Sequence, residues 1–137
     1  MFTTIQLITI LSIIGIHFFA DAFCQTHEDA TNKWKSKKAL TNHVLTYTGM
    51  TTVLWGFLLA IIGYLSEHPQ MPDFILLLLG VGTVTFVTHW ITDYFTSKWV
   101  HNLFEKKDFH NGFVVILCID QMLHFVTLFL TLNYLVM

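Results

Sequence analysis

Long apolar stretches alternate with short polar segments along this chain. The apolar stretches run over residues 4–23, 43–65, 73–95 and 112–136, and the polar segments over 24–42, 66–72 and 96–111. Each apolar stretch approaches or exceeds the roughly 20 residues that an α-helix needs to cross the core of a bilayer. The pattern therefore predicts an all-α fold, a four-transmembrane-helix bundle that forms a single integral membrane domain over residues 1–137.

The composition supports a membrane class and argues against an ordinary soluble domain. Hydrophobic residues make up 54% of the chain and charged residues 12%, whereas a typical soluble domain has about 25% charged residues. The lipid bilayer is thus the first expected partner. Basic residues occur only as loop lysines, and no phosphate-binding or nucleic-acid-binding motif is present, so we expect no nucleic-acid partner.

The lysines indicate how the chain is oriented in the membrane. All seven lie in the first and third polar segments, whereas the middle segment, "SEHPQMPD", carries only acidic charge. The positive-inside rule places lysine-rich loops in the cytoplasm. We therefore expect a multi-pass protein with both termini outside the cytoplasm. The first stretch lacks the basic flank of a signal peptide, so we expect it to be retained.

The first polar segment contains a helix signal. Thr26 followed by Asp29 approximates a capping box, and acidic residues precede the basic ones. Trp34 among lysines is typical of a segment that lies at the membrane interface. We therefore expect a short interfacial helix within this loop.

Histidine and aspartate recur at the ends of the apolar stretches. "HFFADAF" at 17–23 and "HWITDYF" at 89–95 each place the two residues four apart, and the fourth stretch has the reverse order, Asp120 then His124. Residues four apart share one face of a helix. The similarity of the first two motifs is compatible with two repeated helical hairpins. Since the fourth helix runs in the opposite direction to the third, the reversal restores the same spatial order.

These residues would be costly inside a membrane unless something neutralised them. A charged residue at the bilayer centre costs roughly 2.5–3.5 kcal/mol on insertion scales and normally faces the bundle interior. Imidazole and carboxylate together suit a divalent metal, with zinc preferred over manganese or iron. The predicted metal ligands are His17, Asp21, His43, His89, Asp93, Asp120 and His124.

The same histidines and aspartates are compatible with more than one arrangement. Seven ligands exceed the needs of one tetrahedral ion, so either two metals or one metal with an outer shell of carboxylates fits the set. A buried His–Asp network could instead fix the packing or relay protons. Three further polar residues near the cytoplasmic side, Gln25, Lys98 and Gln121, are candidates for binding the polar head of a substrate.

Four quoted motifs resemble a known family. "HFFADAFCQT", "LTNHVLTY", "THWITDYFTSK" and "DQMLHF", in this order, resemble small membrane proteins of bacteria and their phages catalogued as domain of unknown function 3307. The resemblance covers nearly the whole chain and implies the bacterial inner membrane as the location. It implies these signature polar positions: His17, Asp21, Gln25, His43, His89, Asp93, Lys98, Asp120 and His124. A looser similarity of residue type links them to membrane-bound metal-dependent hydrolases.

The leading functional hypothesis is a membrane-embedded, metal-dependent hydrolase whose site opens to the cytoplasm. Asp21, Asp93 and Asp120 would be ligands or general bases, and the substrate would be a lipid or another amphiphile. The alternatives are a proton or ion relay or transport module, and a non-catalytic membrane effector that binds a partner protein. Short spans bury little surface, so a homo-oligomer is also compatible with the sequence.

Overall fold

The chain folds as a bundle of long helices. A computed structural model describes residues 4–65, 74–106 and 112–136. Its elements are α1 (Thr4–Phe18), a π-helical turn (Phe19–Phe23), α2 (His27–Asn32), α3 (Lys37–Leu65), α4 (Phe74–Glu105) and α5 (Gly112–Val136). No strand occurs in these ranges, so the predicted all-α bundle is confirmed. The tight connection predicted at 66–72 lies outside the described residues.

Three helices are long and apolar enough to cross a membrane, over Lys37–Ile61, Phe74–Glu105 and Gly112–Thr131. The first apolar helix, Leu7–Phe23, is shorter. The prediction of a polar loop from residue 96 onward is wrong for 96–105, where α4 continues without a break. The reason is local: "TSKWVHNLFE" contains neither proline nor glycine to end the helix.

The distribution of polarity supports membrane association. The polar interior includes His17 and Asp93, whose exposed fractions are 0% and 1%, whereas Phe57 and Ile75 are 66% and 73% exposed. A soluble protein rarely exposes so many large apolar side chains on every long helix. Polar groups inside and apolar groups outside are expected where lipid surrounds the bundle.

The bundle packs around α4, which contacts both α3 and α5, while α1 contacts α3 and α5. Two glycines allow α3 and α4 to approach closely. A Cβ atom on Gly56 would lie 3.3 Å from Leu78, and one on Gly82 would lie 3.1 Å from the Thr52 hydroxyl. Small residues serve this purpose where no hydrophobic effect drives helix association in lipid.

The short helix predicted within the first polar segment is present as α2. The Thr26 hydroxyl accepts a hydrogen bond from the Asp29 backbone N–H at 3.0 Å, which caps the helix at its start. The helix ends after Asn32, and the backbone turns through Lys33 before α3 begins at Lys37. This turn brings α2 against α3, at the end of the bundle that the lysines predict to be cytoplasmic.

Candidate metal centre

Every long helix contributes polar side chains to one buried cluster. The helical spacing explains the convergence, because residues three or four apart share a face. On α4 this face carries Thr85, His89, Asp93 and Thr96, all of them buried. The cluster consists of His17 from α1, Asp21 from the π-helical turn, His43 and Tyr47 from α3, His89 and Asp93 from α4, and Asp120, Gln121 and His124 from α5.

Asp21 lies in the π-helical turn, where the helix is wider than an α-helix. Such turns have i→i+5 hydrogen bonds and are frequent at functional sites. His17 and Asp21 therefore do not share the simple register of His89 and Asp93, although the sequence spacing is the same. His17 bonds to Tyr47 and Gln121, whereas Asp21 points towards the histidines of α3 and α4.

Four side-chain atoms converge at the centre of the cluster. The Nε2 atoms of His43 and His89 are 3.2 Å apart. Asp21 Oδ1 lies 3.1 Å from His43 Nε2 and 3.7 Å from His89 Nε2. Asp93 Oδ2 lies 3.2 Å and 3.5 Å from the same two nitrogens. We call Asp21, His43, His89 and Asp93 the four-residue centre.

Asp21 Oδ1 is a buried oxygen without a hydrogen-bond donor of suitable geometry among the described residues. It nevertheless lies 3.1 Å from an imidazole nitrogen. A carboxylate oxygen and a ring nitrogen at this distance need a proton or a cation between them, because both atoms otherwise present lone pairs. The arrangement is thus one that a cation between the atoms would satisfy.

The ring of His89 is held between two other rings. Its centroid lies 3.9 Å from that of Tyr47 and 4.1 Å from that of His124, with which it stacks at an interplanar angle of 16°. Both faces of the imidazole are therefore covered. This packing holds the imidazole with its Nε2 towards the four-residue centre.

Lys33 supplies a positive charge that sequence reasoning assigned only to orientation. Its Nζ atom donates to Asp93 Oδ2 at 2.7 Å, and its side chain is 22% exposed. Burial alone would lower the pKa of Lys33, but the charges of Asp93 and Asp21 outweigh burial and raise that pKa above the ordinary value of lysine. The lysine is therefore charged next to the four-residue centre.

The other oxygen of Asp93 faces a second group of side chains. His124 Nε2 lies 3.2 Å from Asp93 Oδ1 and 3.6 Å from Asp120 Oδ1. Asp120 also accepts hydrogen bonds from Thr96 at 2.6 Å and from Gln121 at 3.1 Å. Asp93 thus connects the four-residue centre to an outer His124–Asp120 pair.

His17 is not among the residues whose atoms converge closely enough to hold a metal. In the described part of the chain, two such sets occur: Asp21–His43–His89 and His89–Asp93–His124. Its Nδ1 is 2.8 Å from the Tyr47 hydroxyl, and its Nε2 is 3.0 Å from Gln121 Oε1. Since both nitrogens have partners, His17 is placed to orient Tyr47 and Gln121 around the centre.

The three predicted substrate-binding residues have different positions. Gln121 belongs to the cluster through His17 and Asp120. Gln25 has a buried Oε1 with no hydrogen-bond partner in the described part of the chain. Lys98 Nζ instead lies 3.4 Å from the centre of the Tyr94 ring on the same helix.

Sequence reasoning missed Lys33 and Thr96, which bond to Asp93 and Asp120 of the cluster, and each had a signal. Thr96 continues the polar face of α4, three residues after Asp93. For Lys33, the signal was the charge balance, because the three aspartates of the cluster, which lie within the apolar stretches, require cations and those stretches contain no lysine.

Comparison with known proteins gives a family but no activity. A family model described as "Protein of unknown function (DUF3307)" matches residues 7–137. Neither the curated proteins nor the solved structures gave a match.

Proposed function

This chain belongs to the DUF3307 family, and since that membership assigns no chemistry, we propose a function from the site itself. The protein is an integral membrane metalloprotein that holds one divalent cation, preferably zinc, at Asp21, His43, His89 and Asp93. It uses this centre to hydrolyse a lipid-like substrate that enters from the cytoplasmic side.

One observation carries the metal proposal: the spacing of the four converging atoms. Five of their separations lie between 3.1 and 3.7 Å. A tetrahedral zinc ion with bonds of about 2.0–2.1 Å requires ligand atoms roughly 3.3–3.4 Å apart. The two histidine nitrogens, taken with either carboxylate oxygen, therefore have close to the spacing that the ion requires.

Ligand type and charge agree with this spacing. Two imidazole nitrogens and two carboxylate oxygens suit zinc, while manganese and iron also accept such ligands. Two carboxylates also balance the charge of one dication, which lowers the cost of burying them. The set His89–Asp93–His124 shares two residues with the four-residue centre, so it describes an overlapping position, and one ion per chain is expected.

Hydrolysis is the reaction that this ligand set favours. Two histidines and one carboxylate, as in Asp21, His43 and His89, form a ligand set found in hydrolytic zinc enzymes, where a fourth position is open. A cation there would polarise a carbonyl or phosphoryl oxygen and acidify water. Asp93 has an alternative partner in His124, which lies 3.2 Å from its other oxygen. It can therefore leave the fourth corner and accept a proton.

A hydrolysis assay in detergent tests the reaction. The zinc-loaded protein should cleave medium-chain p-nitrophenyl esters or phosphates, and removing zinc with a chelator should lower the rate at least about 100-fold, since a metal supplies several kcal/mol of transition-state stabilisation. Returning zinc should restore the rate. Cleavage that survives the chelator, or that is equal in the double variant His43→Ala/His89→Ala, would contradict the proposal.

A proton relay is the second candidate, and Lys33 is the observation that favours it. The ammonium group on Asp93, together with His124 between Asp93 and Asp120, could balance the buried carboxylates without a metal. Such a relay would carry protons across the membrane of lipid vesicles that contain the purified, metal-free protein. The metalloprotein proposal expects no such flux.

The proposed orientation places Lys35 and Lys98 on the cytoplasmic side and both termini outside. It is tested in a Cys24→Ser/Cys118→Ser background with single cysteines at positions 35 or 67. A membrane-impermeant maleimide should label Glu67→Cys in intact cells and Lys35→Cys only in inverted vesicles. Labelling of both sites from one side would contradict the topology.

A further inference from the structure

A cavity adjoins the candidate metal centre on its α2 side. It has a volume of about 340 Å³ and lies between the end of α2, α4 and α5. Lys33 and Asp120 both line it, and so does Thr96, which bonds to Asp120. The wall of the cavity is therefore part of the buried cluster, and the cavity gives a ligand a path to it.

The cavity has one polar and one apolar part. Lys33 provides a cation, and Ser97 provides a hydroxyl that is buried with no hydrogen-bond partner among the described residues. Val100, Phe104 and Leu117 line the rest. A cation and an unsatisfied hydroxyl favour an anionic group, while the apolar wall favours an attached hydrocarbon chain.

Lys33 and a bound dication would compete for one oxygen. The ammonium lies 2.7 Å from Asp93 Oδ2, the same atom that forms a corner of the four-residue centre. Two cations that contact the same oxygen lie only a few ångströms apart, and they repel each other strongly in a partly buried site. A metal at the centre would therefore displace the ammonium from Asp93, and the adjacent cavity is the space that the side chain already lines.

We propose that Lys33 is a displaceable counter-ion that couples metal binding to substrate binding. Without metal it neutralises Asp93. With metal it turns into the cavity and binds the anionic head of an amphiphile, such as a phosphate on an alkyl chain. This rests on the proposed function and names its substrate class.

Calorimetry in dodecyl maltoside tests the coupling with zinc chloride and dodecyl phosphate as probes. The variant Lys33→Met removes the charge and keeps the length of the side chain, and Lys35→Met, at an exposed lysine two residues away, is the control. Lys33→Met should bind zinc about tenfold more tightly than the wild type, because the competing cation is gone. Its zinc-loaded form should bind dodecyl phosphate at least about tenfold more weakly.

The outcomes separate this proposal from the metal site itself. Wild-type protein that binds no zinc would overturn the proposed function, and with it this coupling. Zinc binding with equal dodecyl phosphate affinity in Lys33→Met and the wild type would overturn the role of Lys33 alone. Loss of zinc binding in Lys33→Met would also overturn it, since the lysine would then support the centre rather than compete with metal.

Two further measurements define the ligand. Inorganic phosphate should compete with dodecyl phosphate only weakly; equal affinity for both would contradict the amphiphile and assign the cavity to a soluble anion. Val100→Trp fills the apolar part without touching Lys33, and it should weaken dodecyl phosphate binding while zinc binding is retained. Unchanged dodecyl phosphate binding in this variant would place the ligand outside the cavity.

Discussion

Replacing Asp93 by Asn is expected to weaken zinc binding by at least about 100-fold, which exceeds the roughly 10–100-fold loss typical of residues that only support metal ligands. Asn keeps the shape of the side chain but removes the charge from Oδ2, which lies 3.2 and 3.5 Å from the two histidine nitrogens. It also removes the partner of Lys33 and leaves that cation uncompensated. Both effects disfavour a dication at the centre.

Cobalt titration of the metal-free protein measures this effect, because tetrahedral Co²⁺ absorbs visible light strongly. The cobalt affinity of Asp120→Asn is compared with that of Asp93→Asn, since Asp120 contacts His124 and Thr96 but is not part of the four-residue centre. Asp120→Asn should lose less affinity than Asp93→Asn. Glu105→Gln changes an exposed residue of α4, the helix that carries Asp93, and this variant should bind cobalt as the wild type does.

The order of the cobalt affinities of these variants shows whether Asp93 is a metal ligand. Equal cobalt affinity in Asp93→Asn and Glu105→Gln would exclude Asp93 as a ligand. A larger loss in Asp120→Asn than in Asp93→Asn would move the centre to the His124–Asp120 pair. Far-ultraviolet circular dichroism and gel filtration establish that each variant is folded before the titration is interpreted.

Removing both central histidines should abolish the stabilisation that zinc gives to the folded protein. A ligand that binds only the folded state at 100 times its Kd stabilises it by about 2.7 kcal/mol. Wild-type protein should therefore show a clear rise in Tm when zinc is added. His43→Ala/His89→Ala should show none, because its centre has lost both nitrogen ligands.

A matched pair of histidines controls for nonspecific zinc binding. His27→Ala/His68→Ala removes the same number of imidazoles from polar segments of the sequence. This variant should gain stability from zinc as the wild type does. A zinc-dependent rise in Tm that persists in His43→Ala/His89→Ala but disappears in the control would place the ion in the loops.

The apolar stretches were enough to predict the long helices, but they were less reliable for the ends of those helices. The apolar stretch 112–136 agrees with α5, Gly112–Val136. The end of α4 was placed ten residues too early, because "TSKWVHNLFE" is polar enough to resemble a loop although nothing in it stops a helix. Polarity marks where a helix leaves the membrane, not where it ends.

The i, i+4 rule likewise predicted part of the cluster. It brings His89 to 3.5 Å from Asp93 and His124 to 3.6 Å from Asp120. It did not describe His17 and Asp21, because the π-helical turn between 19 and 23 changes the register and "FADAF" gives no sign of it. This turn directs Asp21 to the four-residue centre.

Lys33 shows a different limit of sequence reasoning. Its contact with Asp93 joins residues 60 positions apart and depends on how α2 folds back over the bundle. No helical period extends across such a loop. Charge balance could have indicated that a cation was needed, but only the tertiary structure identifies which of the seven lysines supplies it.

Elemental analysis of the purified protein tests the metal centre most directly. We expect about one equivalent of zinc, or of manganese or iron in its place, per wild-type chain. His43→Ala/His89→Ala should contain none, while His27→Ala/His68→Ala retains it. A folded wild-type protein that contains no metal and takes up none when zinc is supplied would contradict the metalloprotein proposal. Lys33 and the His–Asp contacts would then be the groups that neutralise the buried carboxylates.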